Sequence, residues 1–277
     1  MGCYHGHRGS ADRRSHRLRR LIMQRLLPHR WPTLLRNPVA SAAFALGHKA
    51  RLHRAFVRTT ARFLFGDELD RERLDRALDE LEADDLVSPR AATGGDQPPV
   101  GNYVDTTLGK WLYCALRLTE PEVVVETGVA HGTSSWLLLN ALEKNGRGRL
   151  CSIDLPNRDT RSEYDVTGGD GDRGGDRGVG WMVPDELRPR WRLELGSATE
   201  LLPKLLDELG RVDVFFHDSD HSYEHMQFEF RTTYRHVAAG GLIISDDVQL
   251  NPAFDELLAV RGLRGVVFRK GAVTRKP

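Results

Sequence analysis

The sequence lacks both a long apolar run and a cysteine framework. Its 277 residues contain three scattered cysteines, Cys3, Cys114 and Cys151, so no disulfide scaffold is predicted and a reducing, cytoplasmic location is expected. The longest apolar run near the N-terminus, residues 39–46, is too short to span a bilayer, and no signal-peptide pattern is recognised. These absences exclude a disulfide-rich secreted protein and predict a chain without a transmembrane segment.

Acidic residues are nearly missing from the first 62 residues, although the whole chain carries a net charge of only +1. Residues 1–62 hold 14 Lys and Arg and one acid, Asp12, for a net charge of +13, and residues 63–277 carry −12. Such an arm can bind nucleic acid or an anionic membrane surface, but a partly disordered or helical arginine-rich extension has the same composition. We therefore treat residues 1–62 as a basic N-terminal extension of open role, with Met23 as an alternative start.

Helical and strand-like patterns follow this extension. Residues 67–86 place Leu74, Leu78 and Leu81 at helical spacing among charges, which predicts an amphipathic helix packed on the domain. The Pro- and Gly-rich stretch 88–101 predicts a linker, so residues 63–100 form a region of helix and linker. From residue 101 onwards, short apolar runs alternate with helical segments. The predicted strands are 123–125, 150–153, 191–195, 212–216 and 242–244, and the predicted helices are 134–142, 199–209 and 222–237.

This alternation predicts an α/β domain over residues 101–277, with a Rossmann-like, doubly wound sheet. Continuous apolar strands separated by helices favour parallel strands that are covered on both faces. Residues 265–268 and 272–273 predict an antiparallel C-terminal hairpin, which brings the mostly parallel sheet to seven strands. The Gly-, Asp- and Arg-rich stretch 165–180 interrupts the pattern and is either an active-site lid or a flexible insertion.

The first strand runs into a glycine turn, in the sequence VVVETGVAHGTSSWLLL (residues 123–139). In open α/β sheets, ligands bind at the carboxyl ends of the strands, near the point where the strand order reverses. A dinucleotide fingerprint that starts at Gly128 would need glycine at positions 130 and 133, which are Ala130 and Thr133. NAD is therefore disfavoured as the ligand of this turn.

The spacing E-x-G-x-x-x-G-x-S resembles motif I of the class I S-adenosylmethionine-dependent methyltransferases. Glu126, Gly128, Gly132 and Ser134 carry it. An acid near the turn is compatible with the sulfonium and amino groups of this methyl donor, whereas it would repel a pyrophosphate. The two glycines let the backbone approach the methionine moiety. The resemblance therefore implies that these four residues bind the donor.

Three further segments are similar to the same family, in the same order along the chain. CSIDLP includes Asp154 at a strand end, where the acid of the family binds the ribose hydroxyls. GSATELLPKLL (196–206) resembles the adenine-binding stretch, with Ala198 and Thr199 in place. Ser197 stands where many members have an acid, so adenine recognition would rely on backbone amides. VAAGGLIISDD (237–247) resembles the glycine turn and fifth strand, and the resemblance covers about residues 101–273.

Acidic residues collect after the fourth and fifth predicted strands. The segments HDSDH and SDD bring Asp218, Asp220, Asp246 and Asp247 to one mouth of the sheet. Ionised carboxylates in one site raise each other's pKa values, and a divalent cation compensates for them. Oxygen ligands favour Mg²⁺ before Ca²⁺ or Mn²⁺. Asp220 also has a simpler interpretation, as a cap for the following helix.

This layout resembles that of the metal-dependent small-molecule O-methyltransferases, and most of all the methyltransferase-24-like group. These enzymes place one Asp after the fourth strand and an Asp-Asp or Asp-Asn pair after the fifth. The resemblance implies Asp218, Asp246 and Asp247 as ligands of Mg²⁺ or another divalent cation. It also places Asp218 among the donor-binding and catalytic residues, and it implies His221 as the general base.

The sequence thus predicts a cytoplasmic O-methyltransferase that uses S-adenosylmethionine, is assisted by a divalent metal, and acts on a small hydroxylated molecule, natural-product or sugar-like. His217 and His225 are interpreted as structural histidines. Two alternatives stay open: an RNA methyltransferase or nucleic-acid-binding protein that uses the basic arm, and a catalytically silent scaffold. Nucleic acid is the disfavoured partner, because no base-reading set of aromatic residues and arginines follows the arm. The acceptor is not predicted, and a homo-oligomer stays open.

Overall fold

The computed structural model of the protein describes residues 50–83, 106–156, 178–268 and 270–277. Within these ranges, three α-helices precede the sheet: α1 (Ala50–Phe65), α2 (Arg71–Ala83) and α3 (Thr106–Thr119). The alternating part comprises β1 (Val123–Thr127), α4 (Thr133–Asn145), β2 (Arg149–Asp154), β3 (Trp191–Leu195), α5 (Ala198–Leu209), β4 (Val212–His217), α6 (Tyr223–Tyr234) and β5 (Val237–Ser245). It ends with α7 (Ala253–Arg261), β6 (Gly265–Phe268) and β7 (Gly271–Arg275).

The seven strands form one sheet in the order β3-β2-β1-β4-β5-β7-β6. The five strands from β1 to β5 pair in parallel, whereas β7 is antiparallel to both β5 and β6. This arrangement confirms the predicted doubly wound, mostly parallel sheet with an antiparallel C-terminal hairpin. The strand order reverses at β1, which lies between β2 and β4, so the crevice for a ligand is expected at the carboxyl ends of β1 and β4.

Successive strand residues supply the two faces of the sheet in turn. Val124, Phe216 and Ile244 pack with helices α1 to α4 on one face, whereas Val125, Phe215 and Ile243 pack with α5, α6 and α7 on the other. Side chains alternate across a strand, so a strand that is buried on both faces reads as a continuous apolar run. This is why the central strands could be recognised from runs of apolar residues.

The predicted amphipathic helix over 67–86 begins later than expected. Gly66–Glu68 forms a short 3-10 turn, and α2 starts at Arg71, where Asp70 Oδ1 accepts a hydrogen bond of 2.9 Å from Arg73 N. An Asp in that position satisfies a free amide of the first helical turn, and this sets the start of the helix. The predicted apolar stripe is confirmed, because Leu74, Leu78 and Leu81 are buried.

The predicted boundary at residue 62 falls inside α1, and this helix contributes Phe56, Val57 and Ala61 to the core. Residues 1–49, which include Met23, lie outside the described residues, as do the whole predicted linker, residues 88–101, and residues 165–177 of the predicted lid. Within the part of the chain that the structure describes, no helix combines the length and apolarity needed to cross a membrane.

Candidate functional site

The carboxyl ends of β1, β2, β4 and β5 meet at one edge of the sheet. Gly128 N donates to Ile153 O over 2.9 Å, and Asp218 N donates to Thr127 O over 2.8 Å. On the far side, Asp246 N donates to His217 O over 2.9 Å. These backbone bonds extend the strand pairing just beyond the strands, and they bring the loops that carry the predicted site residues together.

The turn after β1 is built for close backbone approach. Gly128 has a φ of +84°, and a Cβ placed on it would lie 2.0 Å from Asp218 O. Gly132, with a φ of +96°, precedes α4, and a Cβ there would lie 3.0 Å from Gly180 Cα. Only glycine fits both the left-handed conformation and the missing space. The spacing of these two glycines therefore has a physical cause in the fold.

Asp154 holds this turn from the end of β2. Its Oδ2 accepts hydrogen bonds from Val129 N at 2.9 Å and from Ala130 N at 2.7 Å, and its Oδ1 accepts one from Leu155 N at 2.7 Å. Ala130 itself has a positive φ of 49°, which an alanine rarely adopts, and the carboxylate binds the amide of that residue. Asp154 is thus brought to the predicted site, where it also fixes the shape of the turn.

Glu126 is fully buried below the turn, and its two oxygens are engaged by hydroxyl groups. Oε1 accepts from Ser134 Oγ at 2.6 Å, and Oε2 accepts from Ser135 Oγ at 2.6 Å and from Ser152 Oγ at 2.7 Å. Burial raises the pKa of Glu126 to about 7, although the three hydroxyls oppose that rise. The structure therefore brings Glu126 and Ser134 together, in contact with each other and away from solvent.

The segment just after residue 177 packs on the same turn. Gly180 N donates to Ala130 O at 2.8 Å, Met182 N donates to His131 O at 2.9 Å, and Trp181 Nε1 donates to His131 Nδ1 at 3.1 Å. Burial lowers the pKa of His131, which keeps its imidazole neutral and able to accept. This contact was not predicted from the sequence. Its only signal was an aromatic residue, Trp181, at the end of the Gly-rich stretch.

Ala198 and Thr199 begin α5 at the end of β3, next to Asp154. Gly196 N donates to Asp154 O at 2.8 Å, and the hydroxyls of Ser197 and Thr199 share a hydrogen bond of 2.7 Å. Two large apolar side chains are exposed beside them: Leu155 is 55% exposed and Leu195 is 53% exposed. Leu195 is the strand partner of Asp154, so apolar surface and carboxylate lie side by side at this edge.

Asp218, Asp246 and Asp247 lie at the adjacent ends of β4 and β5. Burial raises the pKa of Asp218, and burial together with the charges of Asp218 and Asp247 raises the pKa of Asp246 to about 7. Burial acts in the same direction on Asp247, but hydrogen bonding and nearby positive charge outweigh it and lower the pKa of that carboxyl. Asp247 Oδ1 accepts from Gln249 Nε2 at 2.6 Å and lies 3.3 Å from Lys270 Nζ.

These carboxylates share an edge without forming a coordination shell. In the described ranges, no group of three or more His, Cys, Asp or Glu side chains is arranged to hold a metal ion. Asp247 is engaged by Lys270 and Gln249 instead. The donor set nevertheless fits a hard divalent cation in its chemistry, because its ligands are carboxylate oxygens whose mutual repulsion raises the pKa of Asp246.

His221 lies beside Asp218, with Nε2 3.6 Å from Asp218 Oδ1, and its side chain is 22% exposed. Burial acts to lower the pKa of His221, but the carboxylates of Asp218, Asp247 and Asp246 outweigh burial and raise it. Nε2 is buried and has no hydrogen-bond partner among the described groups. Asp220 holds the turn before α6, because its Oδ1 accepts from Ser222 N at 2.7 Å.

A buried carboxylate that the sequence analysis did not single out lies behind this edge. Glu229 of α6 is fully buried and accepts hydrogen bonds from Thr127, His217, Ser219 and His225 at 2.6 to 2.9 Å. Burial would raise its pKa, but the interaction with His217 and these hydrogen bonds hold the pKa well below its ordinary value. His217 and His225 are thereby shown to be structural partners of Glu229. The only signal in the sequence was the helical i, i+4 spacing of His225 and Glu229.

The chain is similar to known proteins in part of its sequence and in its fold. Residues 125–248 match the family model described as a methyltransferase domain, which confirms the resemblance for that region. No curated protein matches the chain. Among solved structures, the chain is similar to the O-methyltransferase from Bacillus cereus in complex with SAH, at 18% identity, 79% coverage of this chain, 98% of that chain and a TM-score of 0.47. It is similar to the O-methyltransferase TomG from Streptomyces achromogenes in complex with SAM, at 20% identity, with 75% and 98% coverage and a TM-score of 0.47. It is also similar to the MycE methyltransferase in complex with Mg and SAH, at 16% identity, with 72% and 54% coverage and a TM-score of 0.46.

Proposed function

We propose that this protein transfers a methyl group from S-adenosylmethionine to a hydroxyl group of a small molecule, with the assistance of a divalent cation. The observation that carries the proposal is the position of the matched region. Residues 125–248 contain both the crevice where the strand order reverses and the acidic edge beside it. Acceptor and donor sites would then share one mouth of the sheet.

The described residues at the ends of β1 to β3 support donor binding. Gly128 and Gly132 allow the loop after β4 and Gly180 to pack directly on the turn, which sets its shape. The amino acid tail of the donor would lie against the backbone of this turn. Asp154 already accepts three amide hydrogen bonds, and it would accept one more from a ribose hydroxyl, since a carboxylate can accept about four. Leu155 and Leu195, both more than half exposed, would cover the apolar faces of an adenine ring.

The acidic edge supports the acceptor half of the site. Asp218, Asp246 and Asp247 would hold Mg²⁺, which would supply a positive charge that lowers the pKa of an acceptor hydroxyl. His221 would receive the hydroxyl proton at Nε2, the nitrogen that faces Asp218 and has no hydrogen-bond partner among the described groups. The small exposed fraction of the His221 side chain limits access by water. Together, these residues would orient the hydroxyl oxygen for in-line attack.

Donor binding is the first experiment. Titration calorimetry with S-adenosylmethionine and S-adenosylhomocysteine should detect binding by the full chain. Asp154→Ala should weaken it by about 5- to 150-fold, equivalent to the ~1–3 kcal/mol cost of unpaired hydrogen-bonding groups. The matched control is Asp207→Ala on α5, where the carboxylate is 81% exposed and the affinity should not change. An unmodified chain that binds neither ligand, or that binds NADH more tightly, would refute the proposal.

Methyl transfer is the second experiment, with a labelled donor and a panel of hydroxylated aromatic, sugar and macrolide-like acceptors. Removal of divalent cations should abolish turnover and leave the donor affinity unchanged, and Mg²⁺ should restore it. His221→Gln should lower kcat by about 10²–10⁴-fold with the donor affinity retained. Full turnover after verified metal removal would refute the metal-assisted mechanism, and a loss below about tenfold would refute His221 as the base.

The described part of the basic arm favours a packing role over nucleic-acid binding. Arg54 Nη2 lies 2.7 Å from Asp79 Oδ1 and its Nη1 lies 2.9 Å from Glu82 Oε2, and Arg58 Nε lies 3.0 Å from Asp75 Oδ1. These pairs join α1 to α2 and compensate two positive charges that a phosphate backbone would need. Arg54 and Arg58 are thus engaged in holding α1 against α2.

A further inference from the structure

Glu229 is the most completely engaged carboxylate of the described site region. Its Oε2 accepts from Thr127 Oγ1 at 2.6 Å and from His217 Nδ1 at 2.7 Å. Its Oε1 accepts from His225 Nε2 at 2.8 Å and from Ser219 Oγ at 2.9 Å. The four donors come from the end of β1, the end of β4, the loop after β4, and α6 itself. One side chain therefore links the elements that surround the acidic edge.

The charge of Glu229 determines where the protons of its partners lie. The pKa of Glu229 is held below its ordinary value, so the group is ionised at neutral pH and can only accept hydrogen bonds. His217 must then carry a proton on Nδ1, and His225 must carry one on Nε2. A glutamine of the same size could not accept from all four donors, because one end of its amide group is itself a donor.

His217 connects Glu229 to His221, the predicted base. His217 is fully buried, its Nε2 has no hydrogen-bond partner among the described groups, and its ring meets that of His221 edge to face, with a centroid distance of 5.4 Å. Ser219, which also donates a hydrogen bond to Glu229, lies between Asp218 and Asp220 in the loop that leads to His221. Glu229 thus holds both the ring that packs on His221 and the loop that carries it.

We propose that Glu229 is a positioning residue for this site: its carboxylate fixes the tautomer and ring plane of His217 and the path of the loop 218–221, and thereby the orientation of His221. The part that concerns His221 as a base rests on the proposed function, whereas the tautomer and the loop contact do not. A purely structural role would be met by a well-packed apolar side chain, since a buried charge adds little stability of its own. Only an ionised carboxylate can accept from all four donors, so the negative charge of Glu229 is needed to hold them in place.

The first test uses the histidine ring signals and needs no activity. In full-length protein labelled with ¹⁵N-histidine, the spectrum should show a proton on Nδ1 of His217, with the signals assigned by His217→Asn and His221→Asn variants. Glu229→Gln should shift the ring signals of both His217 and His221. Glu224→Gln is the matched control, because Glu224 lies on the same helix and is exposed. A His217 protonated on Nε2 alone, or His221 signals that do not move in folded Glu229→Gln, would overturn the proposal.

The second test removes one donor and leaves Glu229 in place, so it holds even if Glu229→Gln does not fold. Ser219→Ala should release the loop from Glu229 and lower kcat by about tenfold or more, since small displacements of reacting groups are costly. The affinity for S-adenosylhomocysteine should fall much less than kcat, because Asp154 and the turn 128–132 lie outside this loop and Asp218 is the proposed donor-binding residue on it. Unchanged kcat in Ser219→Ala would overturn the proposal. A wild-type chain that does not bind S-adenosylhomocysteine would refute the proposed function and leave the tautomer result standing.

Discussion

The contact between the first turn and the loop after β4 can be tested by adding one methyl group. In Gly128→Ala, the new Cβ would lie 2.0 Å from Asp218 O, 2.4 Å from Asp218 C and 2.8 Å from Ser219 N. These neighbours are backbone atoms and cannot rotate away, so the ends of β1 and β4 must separate by about 1 Å. Overpacking of this kind costs about 1–3 kcal/mol, and a left-handed φ adds about 1–2 kcal/mol for alanine. The expected loss of unfolding free energy is therefore about 2–5 kcal/mol.

Gly146→Ala separates the two contributions. Gly146 has a φ of +67°, and a Cβ there would meet no atom within 4 Å, so only the left-handed strain of about 1–2 kcal/mol remains. Urea unfolding followed by circular dichroism gives the free energy of both variants, and calorimetry gives their affinity for S-adenosylhomocysteine. Gly128→Ala should be the less stable variant and should lose donor affinity, whereas Gly146→Ala should keep it. Equal stability losses in the two variants would refute the reasoning from steric overlap.

Two further predictions concern buried carboxyl groups and are measured as unfolding free energies against pH. The pKa of Glu126 is raised from 4.5 to about 7, so the folded state binds this proton more tightly than the unfolded state does. The resulting stabilisation of about 3 kcal/mol is present below pH 4.5 and is lost as the pH rises through 7. This pH dependence should be missing from Glu126→Gln. Parallel wild-type and variant curves between pH 4.5 and 8 would contradict this. Glu80 accepts hydrogen bonds from Arg117 and Tyr113. These bonds lower the pKa of Glu80, and the bond from Arg117 has the largest effect. Glu80→Gln should therefore cost about 1.5–3 kcal/mol at pH 7 and less as the pH falls below 4.5, and an equal cost at both pH values would contradict it.

The features that could be predicted from the sequence are those with local causes. Apolar runs reveal strands that are buried on both faces, and the spacing of Gly128 and Gly132 reflects positive φ angles that only glycine adopts easily. The burial of Leu74, Leu78 and Leu81 follows from helical period alone. The start of α2 was wrong by four residues, because the charged run gave no periodic signal and Asp70 was not recognised as its cap.

The features that could not be predicted depend on distant partners. Thr127 and Glu229 are 102 residues apart and meet only because β1 and β4 are neighbours in the sheet. His131 and Trp181 are 50 residues apart on either side of β2. Asp154 was assigned to the donor from the family resemblance at a strand end. Its hydrogen bonds to Val129 N and Ala130 N, 25 and 24 residues away, could not be predicted, because they depend on how the turn meets the end of β2.

The carboxylates at this edge of the sheet differ in how far neighbouring groups compensate their negative charge. Hydroxyl groups satisfy Glu126, backbone amides satisfy Asp154, histidines and hydroxyls satisfy Glu229, and Lys270 lies against Asp247. Asp218 and Asp246 differ from Glu229 and Asp247, because burial and mutual repulsion raise their pKa values and the groups around them do not reverse that shift. A cation or a proton therefore stabilises this pair more than it would stabilise Glu229 or Asp247. His221 lies beside Asp218, so the proposed base is next to this uncompensated charge, as the proposed deprotonation of an acceptor hydroxyl would require.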